Sequence, residues 1–232
     1  MESSRMKILA AAQRVYAEHG FRGATTRRIA EMAGVNEVTL FRIFGSKDAL
    51  LEEAVRPDAR RREIAMLTSE PADPLAEVTA WVGAQLTFLR ERRSLIRKTM
   101  SEIEERPQLL QCVREGPECA HRALRDYVGA LADRGWIDAS PDLPAAIAML
   151  MGAVFGDAMG REMIPENYPR PVAAAPAAYA RVFLRAIGLR RRPVPPRAGA
   201  ANGRGSGRGT ARRTAAVPNG RRATNSSGHL PR

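Results

Sequence analysis

The sequence between Gly20 and Leu51 permits only short helices, because residues that begin helices and residues that end them alternate there at close intervals. The side-chain oxygens of Ser, Thr and Asn cap helix starts, and glycine adopts the left-handed conformation that ends helices. The capping residues are Thr25 or Thr26, Asn36 and Ser46, and the glycines are Gly20, Gly34 and Gly45. This pattern predicts helices over residues 5–19, 26–33 and 37–44, and a fourth helix after Ser46.

The second and third of these helices have the spacing of a helix-turn-helix. Such a unit needs a small residue where its helices cross, a turn residue that tolerates positive φ, and apolar side chains beneath the second helix. Ala30, Gly34, Val35 and Leu40 meet these needs in that order, with four residues from Ala30 to Gly34 and six more to Leu40. Because the second helix of such a unit lies in the major groove of DNA, the spacing predicts a DNA-binding unit over residues 1–50.

The chain after residue 50 also has a helical pattern. Prolines separate segments rich in Ala, Leu, Glu and Arg, and no segment shows the alternation of a half-buried strand. The predicted helices cover about residues 58–69, 74–92, 94–105, 107–134 with a break at Gly116–Pro117, 142–163 and 175–188. The sequence therefore predicts an all-α fold, with a helical domain over residues 51–189 following the helix-turn-helix unit.

The net charge of +12 is concentrated at the C-terminal end. Residues 190–232 hold eleven Arg and no Lys, Asp or Glu, whereas residues 1–189 hold 26 basic and 25 acidic residues. A segment of Arg, Gly, Pro and Ser with few large apolar side chains buries too little surface to fold, so we predict a disordered tail. The Gly203–Gly209 segment resembles RG-rich sequences that bind nucleic acids without sequence preference. Non-specific or nucleoid-associated binding through this tail is therefore the alternative function, and a solvated, dispensable extension is the alternative for the tail itself.

Several classes of protein are disfavoured by the residue inventory. The apolar run from Ala145 to Gly156 is shorter than the roughly 18 residues of a membrane span, which predicts no membrane association and a cytoplasmic protein. The three histidines, His19, His121 and His229, are far apart, and no phosphate-binding loop occurs, so we expect neither an enzyme nor a cofactor. Cys112 and Cys119 fit a reducing compartment, and without a tight Cys/His cluster we expect no metal site; a redox or metal sensor is the less favoured alternative.

The segment GFRGATTRRIAEMAGVNEVTLFRIFGSKDALL, from Gly20 to Leu51, resembles the TetR family of bacterial transcriptional regulators at almost every framework position. The resemblance implies a regulator, expected to be a repressor, that binds an inverted-repeat operator in double-stranded DNA as a homodimer. It also implies that the helices after the fourth form a ligand-binding and dimerisation domain, and that a small-molecule effector releases the protein from DNA.

The resemblance also implies roles for individual residues. Arg27, Glu37, Val38 and Thr39 match positions that read base edges, and Thr26, Thr39, position 41, Arg42 and Lys47 match positions that hold phosphates. Position 41 carries Phe41 where a tyrosine is usual, so a phosphate contact is lost. The full set of predicted DNA-binding residues is Thr26, Arg27, Arg28, Asn36, Glu37, Val38, Thr39, Phe41, Arg42 and Lys47. Glu37 is the weakest base-reading candidate, because phosphates repel an acidic side chain and the helix start gives it another role.

Two helices carry the pattern of a dimer interface. Small residues recur every four positions from Ala148 to Gly160, which lets another helix approach closely, and apolar residues line the last helix. The predicted interface residues are Leu150, Gly152, Val154, Gly156, Tyr179, Phe183 and Ile187. Packing of both stripes within one subunit is the alternative.

Methionines and aromatic residues are spread over the helices that would enclose an effector. The candidate pocket residues are Met66, Trp81, Phe88, Met100, Cys112, Tyr127, Met149 and Phe155. Methionine suits an adaptable apolar cavity, although most of these side chains are expected to fill ordinary core.

Overall fold

The structure is a computed structural model, and it describes residues 2–56, 66–137 and 142–190. All regular secondary structure in these ranges is helical, which confirms the predicted all-α fold. The helices are α1 (Glu2–Gly23), α2 (Thr26–Ala33), α3 (Glu37–Phe44), α4 (Lys47–Val55), α5 (Pro74–Glu91), α6 (Arg93–Glu102), α7 (Leu109–Asp133), α8 (Leu143–Gly160) and α9 (Ala175–Ala186). Two 3₁₀ turns, Pro165–Asn167 and Val172–Ala174, lie between α8 and α9.

After residue 50, one predicted feature is wrong and two lie mostly outside the described residues. Most of the predicted helix over 58–69 lies outside the described residues, and residues 66–69 are not helical. The predicted break at Gly116–Pro117 is wrong, because α7 continues through Pro117. The buried residues along α7, among them Cys112, Ala120 and Leu124, offset the roughly 3 kcal/mol cost of an interior proline. The predicted tail lies outside the described residues except for Arg190, whose backbone N–H donates to the Trp136 carbonyl at 2.9 Å.

Helices α1 to α4 surround one apolar cluster. Its members are apolar side chains from all four helices, and each is at most 9% exposed: Ile8, Val15, Tyr16, Ile29, Ala30, Leu40, Phe44, Leu50, Leu51, Ala54 and Val55. Burial of each Leu, Ile or Val contributes about 1.5 to 3 kcal/mol, so the cluster fixes the angle between α2 and α3.

Glycines end the helices of this unit as predicted. Gly20 has φ of 67° and ψ of −173° and interrupts α1 just after His19. Gly34, in the left-handed region at φ of 66° and ψ of 37°, ends α2, and its N–H donates to the carbonyl of Glu31. A Cβ atom at residue 20 would lie 2.3 Å from Oε1 of Glu102, whereas a Cβ atom at residue 34 would have no neighbour within 4 Å. Gly20 is therefore required by its backbone conformation, and an added Cβ atom would also displace the Glu102 carboxylate.

Helices α5, α7, α8 and α9 form the body. Its core contains Trp81 and Leu86 of α5, Tyr127 of α7, Leu150 of α8 and Phe183 of α9, all nearly inaccessible to solvent. Helix α5 packs against both α8 and α9. By length and composition alone α8 could cross a membrane. The sequence predicted no such span, because the apolar run from Ala145 ends at Asp157. In this structure 44% of the helix is buried, and it packs against α5 and α9.

A buried carboxylate connects the helices of the body. Asp157 of α8 is 0% exposed and accepts hydrogen bonds from Nη2 of Arg90 at 2.8 Å, Nε of Arg161 at 2.7 Å and the hydroxyl of Tyr179 at 2.9 Å. Burial by itself raises the pKa of a carboxyl, but these hydrogen bonds outweigh it and hold the pKa of Asp157 below its ordinary value. Next to this cluster, Nε of Arg93 donates to the carbonyl of Ala158 at 2.6 Å and attaches the start of α6 to the end of α8.

Helix α6 and the start of α7 pack against the unit formed by α1 to α4. Leu95, Leu109 and Cys112 belong to the apolar cluster of α1 to α4 rather than to the core of the body. Glu102, at the end of α6, accepts a hydrogen bond from the hydroxyl of Tyr16 at 2.8 Å and another from the backbone N–H of Phe21 at 3.0 Å. A displacement of α6 would therefore act directly on α1.

Candidate DNA interface

The helix-turn-helix is built from local capping hydrogen bonds. Oγ1 of Thr25 accepts from the N–H of Arg28 at 3.3 Å and starts α2, and Oδ1 of Asn36 accepts from the N–H of Val38 at 2.9 Å and starts α3. Ala30 and Leu40 are buried beneath the two helices. The cap of α2 is thus Thr25 rather than Thr26, and the side-chain oxygen of Asn36 is occupied by capping α3.

Helix α3 presents an unusual apolar and basic face to solvent. Val38 is 71% exposed and Phe41 is 45% exposed, and Arg42 lies beside them in the next turn. Exposed large apolar side chains on a short helix cost free energy unless a partner covers them. Thymine methyl groups in the major groove can supply such a partner, and Arg42 is predicted to supply charge for a phosphate.

Two hydrogen bonds organise the acidic and basic groups at the start of α2 and α3. Oγ1 of Thr26 donates to Oε2 of Glu37 at 2.7 Å, and Nε of Arg27 donates to Oε1 of Glu31 at 3.0 Å. The hydrogen bond to Glu31, followed by the charges of Glu31 and Glu37, raises the pKa of the Arg27 guanidinium above its ordinary value. Arg27 and Glu37, which are predicted to read bases, and Thr26, which is predicted to hold a phosphate, therefore already form hydrogen bonds within the protein.

The remaining predicted contacts lie around this group. Arg28 is exposed, but one of its Nη atoms donates to the Gly23 carbonyl at 2.9 Å. Thr39 is half-buried. The amine of Lys47 lies 4.3 Å from the centre of the Phe21 ring, and partial burial, more than the nearby charge of Arg106, lowers its pKa. The hydrogen bond between Thr26 and Glu37 joins the starts of α2 and α3, and the contacts of the predicted residues with DNA stay predictions.

Sequence reasoning missed two exposed residues of α2, Glu31 and Met32. Glu31 follows Arg27 by four positions, which is the spacing at which helical side chains of opposite charge meet. That spacing was the available signal for the Arg27–Glu31 pair. Met32 is 47% exposed, and the sequence offered no comparable signal for it.

The predicted pocket residues do not converge. Trp81, Phe88 and Tyr127 are buried in the body, and Cys112 is buried in the N-terminal cluster instead. Met66, Met100 and Met149 are more than half exposed and Phe155 is also exposed, so these four do not line an interior cavity. An open groove of about 510 Å³ lies elsewhere on the body, lined by Pro117, Glu118, His121, Arg122 and Arg125 of α7 and Met151 of α8.

The predicted dimer residues are divided between the core and the surface. Leu150, Val154, Phe183 and Ile187 are at most 4% exposed in the single subunit, so they cannot form the interface. The hydroxyl of Tyr179 is bonded to Asp157 inside the body. Gly152 is exposed and Gly156 is half-buried near the Tyr168 hydroxyl. Packing within one subunit, the alternative in the sequence analysis, thus applies to most of these side chains.

Both cysteines are free thiols. Within residues 2–56, 66–137 and 142–190, no three His, Cys, Asp or Glu side chains are grouped so as to hold a metal ion.

Comparison with known proteins places the helix-turn-helix unit in a family. Residues 8–54 match the model of the bacterial regulatory proteins of the tetR family. The HTH-type transcriptional regulator YvkB of Bacillus subtilis is 27% identical over 156 residues, which cover 67% of this chain and 82% of YvkB. The HTH-type transcriptional repressor AcnR of Corynebacterium efficiens is 44% identical over 59 residues, which cover 25% of this chain and 31% of AcnR.

Solved structures extend the likeness to the body of the protein. GusR of Salmonella enterica superimposes with a TM-score of 0.61 at 23% identity, covering 79% of this chain and 95% of GusR. At this identity the likeness shows a shared fold. The family match over α1 to α4 places the helix-turn-helix unit of this chain in the TetR family of bacterial transcriptional regulators, which are not enzymes.

Proposed function

We propose that this regulator is a homodimeric repressor that binds an inverted-repeat operator and is released by a small-molecule effector. The observation that carries the proposal is the exposed face of α3, where Val38, Phe41 and Arg42 project from a helix fixed by the buried Leu40 and Phe44. The likeness to AcnR, which is named a repressor, supports repression. Because operator DNA lies in the cytoplasm of a bacterial cell, the proposed function places this protein in the cytoplasm.

Homodimer formation is supported by an uncovered apolar surface on the body. Met149 is 71% exposed, and Gly152 and Phe155 follow it on the same side of α8. Val182 of the neighbouring α9 is 63% exposed. A second copy that presents the same two helices would cover these residues in a four-helix bundle related by a two-fold axis. These exposed residues, rather than the buried stripe, are the proposed interface.

Release by an effector is supported by the connection between the body and the DNA-binding unit. Trp81, Phe88 and Tyr127 stay candidates for effector contact, because they are large side chains within the body. A ligand that displaces these side chains would move α5 and the adjacent α6, whose Glu102 is bonded to Tyr16 and Phe21 of α1. Reciprocal coupling of this kind is typically worth about 1 to 3 kcal/mol.

Selection of bound sequences from random DNA by the full-length chain tests the proposed function. We expect an inverted repeat whose half-sites lie about one helical turn apart, because a two-fold dimer presents two α3 helices. An asymmetric selected site would contradict the dimeric mode of binding. Binding with no enriched sequence would favour the alternative of non-specific binding through the arginine-rich tail.

Substitution of Met149 tests the dimer surface. Met149→Glu should weaken dimerisation about tenfold to a hundredfold, because the two-fold axis places the unpaired carboxylate in the interface twice. Leu75→Glu is the matched control, since Leu75 is an exposed apolar residue of α5, 43% exposed. Sedimentation velocity over a range of concentrations measures both variants. Equal dimerisation of the Met149 variant and the wild type would show that the interface lies elsewhere.

A further inference from the structure

We propose that Glu31 and Glu37 are specificity-determining residues that lower the affinity for non-operator DNA more than the affinity for the operator. The proposal rests on the proposed function, and it concerns two carboxylates on the surface expected to face DNA. Each carboxylate binds a neighbouring group that the sequence analysis assigned to DNA contact: Glu31 binds Arg27, and Glu37 binds Thr26.

The hydrogen bond to Glu37 occupies the only proton of the Thr26 hydroxyl. A hydroxyl has a single proton, and here Thr26 donates it to Oε2 of Glu37 at 2.7 Å. Phosphate oxygens only accept hydrogen bonds, so Thr26 can donate to a phosphate only after its hydrogen bond to Glu37 has broken. The Thr26–phosphate contact and the Thr26–Glu37 contact are therefore mutually exclusive.

The base sequence decides what the released Glu37 carboxylate meets. In the major groove, cytosine and adenine present amino groups that can donate to a carboxylate, whereas guanine O6 and N7 and thymine O4 only accept. At a base with an amino group, Glu37 exchanges one hydrogen bond for another. At other bases it loses its partner and is repelled by the acceptors and the phosphates, so Glu37 penalises the wrong sequences.

The contact between Arg27 and Glu31 has a similar asymmetry. Nε of Arg27 donates to Glu31 at 3.0 Å, which leaves the Nη groups of the planar guanidinium available. Two Nη groups can form the bidentate contact to O6 and N7 of a guanine while Nε stays on Glu31. A phosphate in random DNA attracts the guanidinium mainly as a charge, and the Glu31 charge opposes that attraction. Glu31 thus permits the specific contact and weakens the non-specific one.

The magnitude of the effect follows from the exposure of the pair. The side chains of Arg27 and Glu31 are 80% and 64% exposed, so solvent screens their interaction. Exposed ion pairs contribute little, so we expect a change of about two- to fivefold in affinity for each carboxylate.

The test compares Glu31→Gln and Glu37→Gln with the wild type in the full-length chain. The probes are the selected operator and a duplex of the same length and base composition in scrambled order, at several salt concentrations. We expect each variant to bind the scrambled duplex about two- to fivefold more tightly, with a smaller gain or a loss on the operator. If Arg27 of the Glu31 variant gains a phosphate, the slope of log affinity against log salt on the scrambled duplex steepens by about 0.9.

Glu18→Gln is the matched control. It removes the same charge from the same unit, and the Glu18 side chain is also 64% exposed, with its Oε2 3.6 Å from Nε2 of His19. We expect this variant to shift operator and scrambled affinities by one common factor. If the Glu31 and Glu37 variants behave like the Glu18 variant, or leave the ratio of the two affinities unchanged, the inference is overturned while the proposed function stands. If the wild type selects no operator at all, both are overturned.

Discussion

Asp157→Asn should lower the free energy of unfolding by about 2 to 4 kcal/mol. The carboxylate is fully buried and bonded to Arg90, Arg161 and Tyr179, and the asparagine amide would place an N–H donor against donors already present. Removal of one member of a buried ion pair typically costs about 3 to 5 kcal/mol. We expect a slightly smaller loss, because the Arg90 side chain is 27% exposed and keeps part of its hydration. Urea unfolding measures the effect.

Asp126→Asn is the control for this substitution, since Asp126 is an exposed carboxylate of α7, 67% exposed. Its cost should stay within about 0.5 kcal/mol. Equal losses in the two variants would show that the Asp157 cluster does not stabilise the body.

The contribution of Asp157 should also depend on pH. Burial alone would raise the pKa of this carboxyl, but the bonds from Arg161, Arg90 and Tyr179 outweigh burial and lower it. The folded state therefore binds the proton less tightly than the unfolded state, whose Asp pKa is about 3.9. The stabilisation is complete above that value and is lost as the pH falls through the lower folded-state pKa. The stability difference between wild type and Asp157→Asn should thus be largest at neutral pH and shrink below about pH 4.

The DNA-binding unit could be predicted from the sequence because its signals are local. Asn36 caps α3 through the N–H two residues later, Ser46 caps α4 through the N–H three residues later, and Gly34 ends α2 by its own backbone conformation. None of these contacts depends on a distant part of the chain. The residue types at these positions therefore determined the helix bounds.

The orientation of α8 could not be predicted in the same way. The helix is apolar around most of its circumference, so the pattern did not distinguish the side that packs in the core from the side that is exposed. The stripe with Leu150 and Val154 faces inward, and the turn positions of Met149 and Gly152 face solvent. The packing of α8 against α5 and α9 determines this choice, and helical periodicity holds no information about it.

Contacts between residues that are far apart in the sequence could not be predicted either. Tyr16 and Glu102 are separated by 86 positions, and no pattern in either segment indicates the other. Cys112 was expected in an effector pocket and belongs to the N-terminal cluster for the same reason, since the start of α7 packs there. The contacts that join α6 and the start of α7 to the unit of α1 to α4 are therefore known only from the structure.

Gly20→Ala should test this junction, with an expected loss of about 3 to 5 kcal/mol in the free energy of unfolding. Backbone conformations with φ near +67° and ψ near −173° cost a residue with a Cβ atom about 1 to 3 kcal/mol. In addition, the new Cβ would lie 2.3 Å from Oε1 of Glu102 and displace a carboxylate that accepts from Tyr16 and Phe21. Loss of such partly buried hydrogen bonds adds about 1 to 3 kcal/mol.

A double-mutant cycle separates the two causes. In a Glu102→Ala background the carboxylate is already absent, so Gly20→Ala should there cost only the backbone strain, about 1 to 3 kcal/mol less than in the wild type. Gly34→Ala is the second control: its φ is also positive at 66°, no atom lies within 4 Å of the added Cβ, and we expect a loss of about 1 kcal/mol. Additive effects of the Gly20 and Glu102 substitutions would mean that Glu102 does not hold the break in α1. Non-additivity would instead establish a direct energetic link between the end of α6 and the DNA-binding unit, which the proposed release by an effector requires.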